Sequence, residues 1–424
     1  MMSTIAGRIW TRAIATGAFV LASQATLAAA PPPAVLVNSA EARFERVVQG
    51  MSSGKLPAAL AEMDRLAERY PNWRLAHLVH GDLLLARSAP IAGFGNAADA
   101  KGERLEDLRA EALTRLRAVR DPPPASAIPR YLLQFDRRQS NAIVVDAGRS
   151  RVYVYENSGG TPHLVQDFYS TLGKNGVDKL REGDRRTPLG VYHVTARIPG
   201  AKLPDLYGWG AFPISYPNAW DRMAGRTGYG IWLHGVPTDT YARAPRASDG
   251  CVALANTDIA ELAKHVQVGV TPVIIADTIE WMTPAAARDE RKGFTDQLEA
   301  WRKDWESRDA GRYLAHYARE FRSDGMNLAA WSAHKRRVNA SKRWIKVSLD
   351  NISVFRNPGQ KPLMVVSFDQ DYSSSNLAQR TRKRQYWTLE GSRWRIAYEA
   401  PVGSVPLALP ESFPRQRAAL APRR

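Results

Sequence analysis

Ile231-Trp232-Leu233-His234-Gly235 and Ser248-Asp249-Gly250-Cys251-Val252, whose cysteine lies seventeen positions after His234, are the stretches on which the reading of this chain turns. Cys251 is the sole cysteine in 424 residues. With no second cysteine there is no internal disulfide, so it is either an inert core thiol or a reactive one. A thiol nucleophile needs a base, an orienter for that base, and donors for a developing oxyanion. His234 closes a short β-like run, and Gly235 after it leaves the ring accessible. Gly250 lets the chain turn tightly before the thiol, and Ser248 is placed to hydrogen-bond across that turn. Free cysteine has a pKa of about 8.5, and an imidazole partner is expected to lower it by about two units or more. Taken singly, a lone Cys is usually packing and a strand-end His is usually just satisfied. The two flanks together favour the reactive reading.

The N-terminus has the composition of an export signal. Arg8 and Arg12 precede a short, mostly apolar stretch from Ala13 to Leu27, followed by Ala28-Ala29-Ala30 and then Pro31-Pro32-Pro33. Residues 1–30 are therefore expected to be a signal peptide that sends the chain to the periplasm. Thr16, Ser23, Gln24 and Thr26 interrupt the apolar run and make it a poor membrane span. An uncleaved anchor is the alternative. No other run is long and apolar enough to cross a bilayer, so an integral membrane protein is not expected.

The length suits two or three domains, and 44% hydrophobic residues with 12 Trp and 15 Tyr suit packed cores. The formal charge is +17. From Trp281 onward there are 27 basic and 15 acidic residues, so the excess concentrates in the last third. Such a surface attracts polyanions. Outside the cytoplasm nucleic acid is not expected; anionic wall polymer or lipid headgroups fit better, and a generally solvated basic surface is the alternative. The other seven histidines form no ligand pattern with Cys251, so neither a metal nor another cofactor is expected.

Apolar residues recur at helical spacing from Val37 to Arg87. Leu56, Leu60, Met63 and Leu66 mark one helix, and Leu75, Leu78, Leu83 and Leu84 a second, with a break at Tyr70-Pro71-Asn72-Trp73. The pair has the look of a tetratricopeptide hairpin, but one copy is not an array. A further helix over about 103–119 ends before Asp121-Pro122-Pro123-Pro124. Residues 36–125 thus read as a helical domain for docking or for self-association as a homodimer. The period then changes. Short β-rich runs at Ala142–Asp146 and Val152–Tyr155, and later at 191–194, 230–233 and 271–275, with one helix at 258–266, imply a β-rich domain over 140–277. After Pro284 come a helix carrying Phe294, Leu298, Trp301 and Trp305, a second helix over 312–321, and four alternating runs from Ile345 to Tyr398. These describe an α+β cone over 285–400, with a loose basic tail at 401–424.

The central segment resembles the L,D-transpeptidase (YkuD-type) catalytic domain, whose signature is a His-Gly strand followed by Ser-x-Gly-Cys. Gly183-Asp184-Arg185-Arg186-Thr187-Pro188-Leu189-Gly190-Val191-Tyr192 resembles the family's Thr-Pro-x-Gly-x-aromatic segment, and Val144–Tyr155 its opening hairpin. Ser215-Tyr216-Pro217-Asn218, with Asp221-Arg222 and Gly225-Arg226-Thr227-Gly228, resembles the approach to the histidine. The C-terminal part, through Trp301, Trp305-x-Ser307-Arg308-Asp309, Gly325-Met326 and Lys335-Arg336-Arg337, resembles the nuclear-transport-factor-like (cystatin-type) cone appended to some members.

The resemblance implies a multidomain α+β protein: a helical domain, a mixed β-sandwich and a cone. It implies Cys251 as nucleophile, His234 as base and then acid, and the Gly235 carbonyl as orienter. Ser248, Asp249, Gly250 and Arg246 are the implied substrate or oxyanion contacts. Peptidoglycan stem peptides are the implied partner. An amine acceptor gives L,D-transpeptidation; water gives L,D-carboxypeptidase or endopeptidase activity, as in cell-shape enzymes of this three-part layout. A non-catalytic wall-binding scaffold is the alternative of another class. Two positions depart from the family: Asp249 where many members have His, and Ala253 where many have Arg. A carboxylate beside the thiol opposes thiolate formation, so Asp249 is expected to point away or to contact Arg243 or Arg246. The aromatic stretch Tyr207, Trp209, Phe212, Tyr216 and Trp220 reads as a lid in part and as core for the rest.

Overall fold

The strand Asn141–Asp146 is apolar on both faces because both faces are covered. Ile143 and Val145 point into one core with Val152, Phe212, Leu233 and Val252, while Ala142 and Val144 point into another with Phe355, Val365 and Tyr386. A strand buried on both sides reads as a continuous apolar run rather than an alternation. The computed structural model describes residues 39–91, 93–96 and 102–402. The expected signal peptide lies outside the described residues, as does the expected tail beyond Val402; Pro401 completes the last strand. No helix among the described residues is long and apolar enough to cross a membrane.

The central domain packs two sheets. One has the strand order Thr161–Tyr169, Arg151–Ser158, Asn141–Asp146, Pro272–Ala276, Gly190–His193. Its pairs are antiparallel except that Pro272–Ala276 runs parallel to Asn141–Asp146. The second has the order Val252–Ala253, Trp232–His234, Gly210–Pro213, Ile198–Pro199. The expected opening hairpin and mixed β-sandwich are both present, and the expected 258–266 helix begins two residues earlier, at Asn256–Leu262, before a 3-10 turn.

The helical domain holds one helix more than the hairpin and its follower. Helices α1 (Ala40–Ser52), α2 (Leu56–Arg69), α3 (Arg74–Leu85) and α4 (Gly102–Arg120) enclose Phe44, Val47, Met63, Leu66, Trp73, Leu75, Val79 and Leu116. Ser39 caps α1 through its side-chain oxygen and the Ala42 amide.

The C-terminal domain wraps a seven-stranded sheet around the long helix Pro284–Glu306, which buries Phe294, Leu298, Trp301 and Trp305 as expected from their spacing. The helix expected over 312–321 is corrected. It stops at Leu314, and Tyr317–Ser323 is a strand beside Arg393–Pro401. Tyr313, Tyr317 and Phe321 are four apart, a spacing that keeps residues on one face of a helix and of a strand alike. Sheet pairing decides between them. The edge strand Leu132–Gln134, which precedes the catalytic domain in sequence, joins this sheet against Ile345–Arg356. The C-terminal domain is thereby tied to the catalytic domain from both chain directions.

Candidate active site

His234 ends its strand in parallel register with Val252–Ala253: Leu233 lies opposite Val252 and His234 opposite Ala253. Cys251 is two residues before Ala253, so it approaches on the face that carries the histidine. The ring is buried, and its Nδ1 lies 2.6 Å from the Gly235 carbonyl oxygen. A carbonyl only accepts, so Nδ1 carries the proton and Nε2 is the lone-pair nitrogen of the neutral ring. Gly235 cannot be replaced cheaply. A Cβ there would sit 2.2 Å from Asn256 Oδ1. Asn256 Oδ1 accepts from the amides of Trp209 and Val236, and its Nδ2 donates to the Val236 carbonyl, fixing the chain just after the histidine. An asparagine at the start of a helix reads as a cap, so the sequence offered no signal for this role.

The thiol turn is held by Ser248. Its hydroxyl donates to the Cys251 carbonyl at 2.6 Å and accepts from the Gly250 amide at 3.1 Å. Gly250 has φ +125°, and a Cβ on it would meet the Arg186 carbonyl at 2.8 Å. The Gly250 amide is therefore spent within the turn. The Cys251 amide makes no hydrogen bond among the described residues.

Cys251 is partly exposed, and its Sγ donates to the Gly230 carbonyl at 3.3 Å. Burial pushes the thiol up to about 11; a backbone hydrogen bond from Trp232 and the charges of Lys179 and Arg243 oppose this, and Asp249 adds to it. Burial likewise takes His234 down to about 4, against the hydrogen bond to Gly235. The expected lowering of the thiol pKa is thus not met. At neutral pH both the thiol and the imidazole are neutral.

Asp249 does not contact Arg243 or Arg246. Its exposed carboxylate faces Lys174 at 3.5 Å and Arg185 at 3.7 Å. Arg246 is exposed on the strand Arg246–Ser248. The cations near the thiol are instead Lys179, buried and bonded to Asp184 at 2.7 Å, and Arg243, whose guanidinium donates to the Ala247 carbonyl. The aromatic stretch divides. Phe212 and Tyr216 are core, and Trp220 stacks on Tyr386 of the C-terminal domain. Tyr207 stands edge-on to His234, with ring centroids 5.0 Å apart.

Comparison with known proteins agrees with this architecture. Residues 140–275 match the L,D-transpeptidase catalytic domain (YkuD), and residues 293–400 match the Cds6 C-terminal NTF2-like domain. The chain is 26% identical over 163 residues to the probable L,D-transpeptidase YbiS of Escherichia coli K12, covering 37% of this chain and 51% of that protein. It thus spans about half the length of the curated relatives it matches. Among solved structures, Bd1075 of Bdellovibrio bacteriovorus superposes with a TM-score of 0.58 at 28% identity, over 65% of this chain and 98% of that one. The helical cell shape determining protein Pgp2 of Campylobacter jejuni superposes with a TM-score of 0.56 at 25% identity, over 64% of this chain and 95% of that one. The chain therefore joins a YkuD-type L,D-transpeptidase catalytic domain to a C-terminal NTF2-like domain.

Proposed function

We propose that this protein is a periplasmic peptidoglycan L,D-transpeptidase acting through Cys251 and His234. The observation that supports it most is the His234 tautomer: with Nδ1–H committed to the Gly235 carbonyl, Nε2 is left as a base, on the strand beside a partly exposed thiol held by Ser248. With the thiol near 11 and the imidazole near 4, the proton stays on sulfur until a carbonyl arrives. Transfer to Nε2 then accompanies attack of Sγ on the stem-peptide carbonyl carbon. The carbonyl electron pair moves to oxygen, facing the Cys251 amide. Collapse expels the D-alanine amine, which takes the proton back from His234. The thioester passes to an amine acceptor in the second half-reaction.

A second reading has water as acceptor, giving L,D-carboxypeptidase or endopeptidase activity. It is supported by the likeness, across both domains, to a protein that determines helical cell shape. In either reading the basic C-terminal domain is assigned to contact with anionic wall polymer. Digestion of purified peptidoglycan with the mature protein, followed by mass analysis, separates the readings. New 3,3-cross-links mean transpeptidation, tripeptides with free D-alanine mean carboxypeptidase, and released protein-linked peptides mean endopeptidase. Cys251→Ala should abolish all three while the protein stays folded. Absence of products together with a folded protein whose Cys251 resists a carbapenem would instead support the scaffold reading. Activity should hold through neutral pH and fall as His234 protonates toward pH 4.

A further inference from the structure

The loop between the two halves of the site, residues 236–247, is gripped by the helical domain. The Tyr241 ring packs 4.6 Å from Tyr70 and 5.1 Å from Trp73, centroid to centroid. Its amide donates to the Asn72 carbonyl at 3.1 Å, and the Asn72 side-chain amide donates to the Thr238 carbonyl at 3.0 Å. Beneath these rings lies Arg115 of α4, fully buried. Its guanidinium carbon stands 4.0 Å from the Tyr169 centroid, 4.9 Å from Trp73 and 5.7 Å from Tyr241. Glu41 and Glu111 pair with the same guanidinium, and Glu111 also accepts from the Trp73 indole at 2.9 Å. One buried cation thus touches aromatic rings from the helical domain, the catalytic sheet and the loop.

Two residues after Tyr241 is Arg243. Its carbonyl accepts from the Tyr169 hydroxyl at 2.8 Å and the Thr171 hydroxyl at 3.0 Å. Its guanidinium bonds to the Ala247 carbonyl, one residue before the serine that holds the thiol turn. We propose that the helical domain is a positioning element of the active site: Arg115, Tyr70 and Trp73 clamp Tyr241, and Tyr241 sets Arg243 beside Cys251. Tyr241 is a positioning residue and touches no reacting atom. Arg243 supplies positive potential where electron density develops on sulfur. That this potential serves acylation rests on the reading of Cys251 as nucleophile; the clamp itself does not.

The test uses the full chain and two alkylating reagents of nearly equal size, anionic iodoacetate and neutral iodoacetamide. The ratio of their rates at Cys251 cancels thiol exposure and thiolate fraction and reports the local potential. Tyr241→Ala should lower this ratio about two- to threefold, the scale of one nearby charge in high dielectric. Arg243→Gln should lower it equally, and the double variant no further, because both remove one effect. Tyr241→Phe should keep the wild-type ratio. Carbapenem acylation of Cys251, followed by intact mass, should slow roughly tenfold in Tyr241→Ala. An unchanged ratio in Tyr241→Ala, effects that multiply in the double variant, or unchanged acylation would each overturn the proposal. Should Tyr241→Ala not fold, Asn72→Ala removes only an exposed hydrogen bond, and an unchanged ratio there overturns the clamp. A wild-type protein that no carbapenem acylates would sink the nucleophile reading, while the alkylation ratio still decides whether the clamp sets the charge.

Discussion

The catalytic domain is held from two sides by contacts that differ in their balance of ionic and apolar chemistry. On one side the helical domain meets it through buried ions: Arg115 pairs with Glu41 and Glu111, Glu41 also pairs with Arg151, and Arg151 with Asp167. On the other side the C-terminal domain covers the outer face of the first sheet with Phe355, Leu363, Val365 and Tyr386, adds the Trp220–Tyr386 stack, and shares the strand Leu132–Gln134. Apolar contact is non-directional and scales with area. Charge-assisted hydrogen bonds fix angles as well as distance. The ionic side is the one that reaches the loop carrying Arg243, where geometry matters. The apolar side meets the sheet face away from the cleft.

The sharpest way to break that contrast is to remove the hub. Arg115→Met leaves Glu111 buried without its ion-pair partner and Glu41 with Arg151 alone, and should cost about 3–5 kcal/mol in denaturant unfolding, since an uncompensated buried charge is the expensive outcome. A loss below about 1 kcal/mol would mean that water reaches the network and that the ionic side is a surface contact.

Acid should separate the two sides next. Burial pushes Glu41 up, but Arg115 and Arg151 more than offset it and hold its carboxyl at about 2, below the ordinary 4.5. Its contribution is complete above pH 4.5 and is lost as pH falls from there toward 2. Across the molecule, His193 is kept neutral by burial and by Arg384, whose guanidinium nitrogen lies 3.3 Å from both ring nitrogens. Its pKa is depressed below 6.5, so its contribution is complete above pH 6.5 and declines below it. Hydrogen exchange should therefore show residues 190–193 and 381–387 loosening as pH falls below 6.5, with 40–52 and 110–120 unchanged until below pH 4.5. Simultaneous loosening would remove the distinction.

Trp220→Ala tests the apolar side. Losing a partly buried indole and its stack should cost about 1.5–3 kcal/mol and leave the alkylation ratio at Cys251 unchanged. A changed ratio would show that this side, too, sets the geometry of the cleft.

Much of this was legible in the residues themselves. The His234-Gly235 and Ser248-x-Gly250-Cys251 strings marked the candidate site because glycine and serine there answer local needs: a Cβ at Gly235 would strike Asn256, and Ser248 binds two groups of its own turn. The four- and three-residue spacing of Phe294, Leu298 and Trp301 placed the long helix for the same local reason. What stayed hidden depends on contacts distant in sequence. Tyr241 is one aromatic in a polar loop until α3 and α4 fold against it. Leu132–Gln134 is too short to declare that it belongs to a sheet formed more than two hundred residues later. The thiol's raised pKa is a consequence of burial that no neighbour in sequence announces.

The smallest effect refines what kind of ion matters on the helical side. At the end of α4, Asp121 meets Arg149 of the catalytic hairpin at 2.6 Å, a separation within the range of the buried network. The Asp121 carboxylate is 66% exposed, so water and salt compete for it. Distance alone would rank this pair with Arg115–Glu41; burial ranks it far below. Asp121→Asn should cost no more than about 1 kcal/mol, and less at high salt, with the Cys251 alkylation ratio unmoved. A cost of several kcal/mol, persisting in 1 M salt where screening extends over only about 3 Å, would show that the rim of this interface is as important as its dry centre.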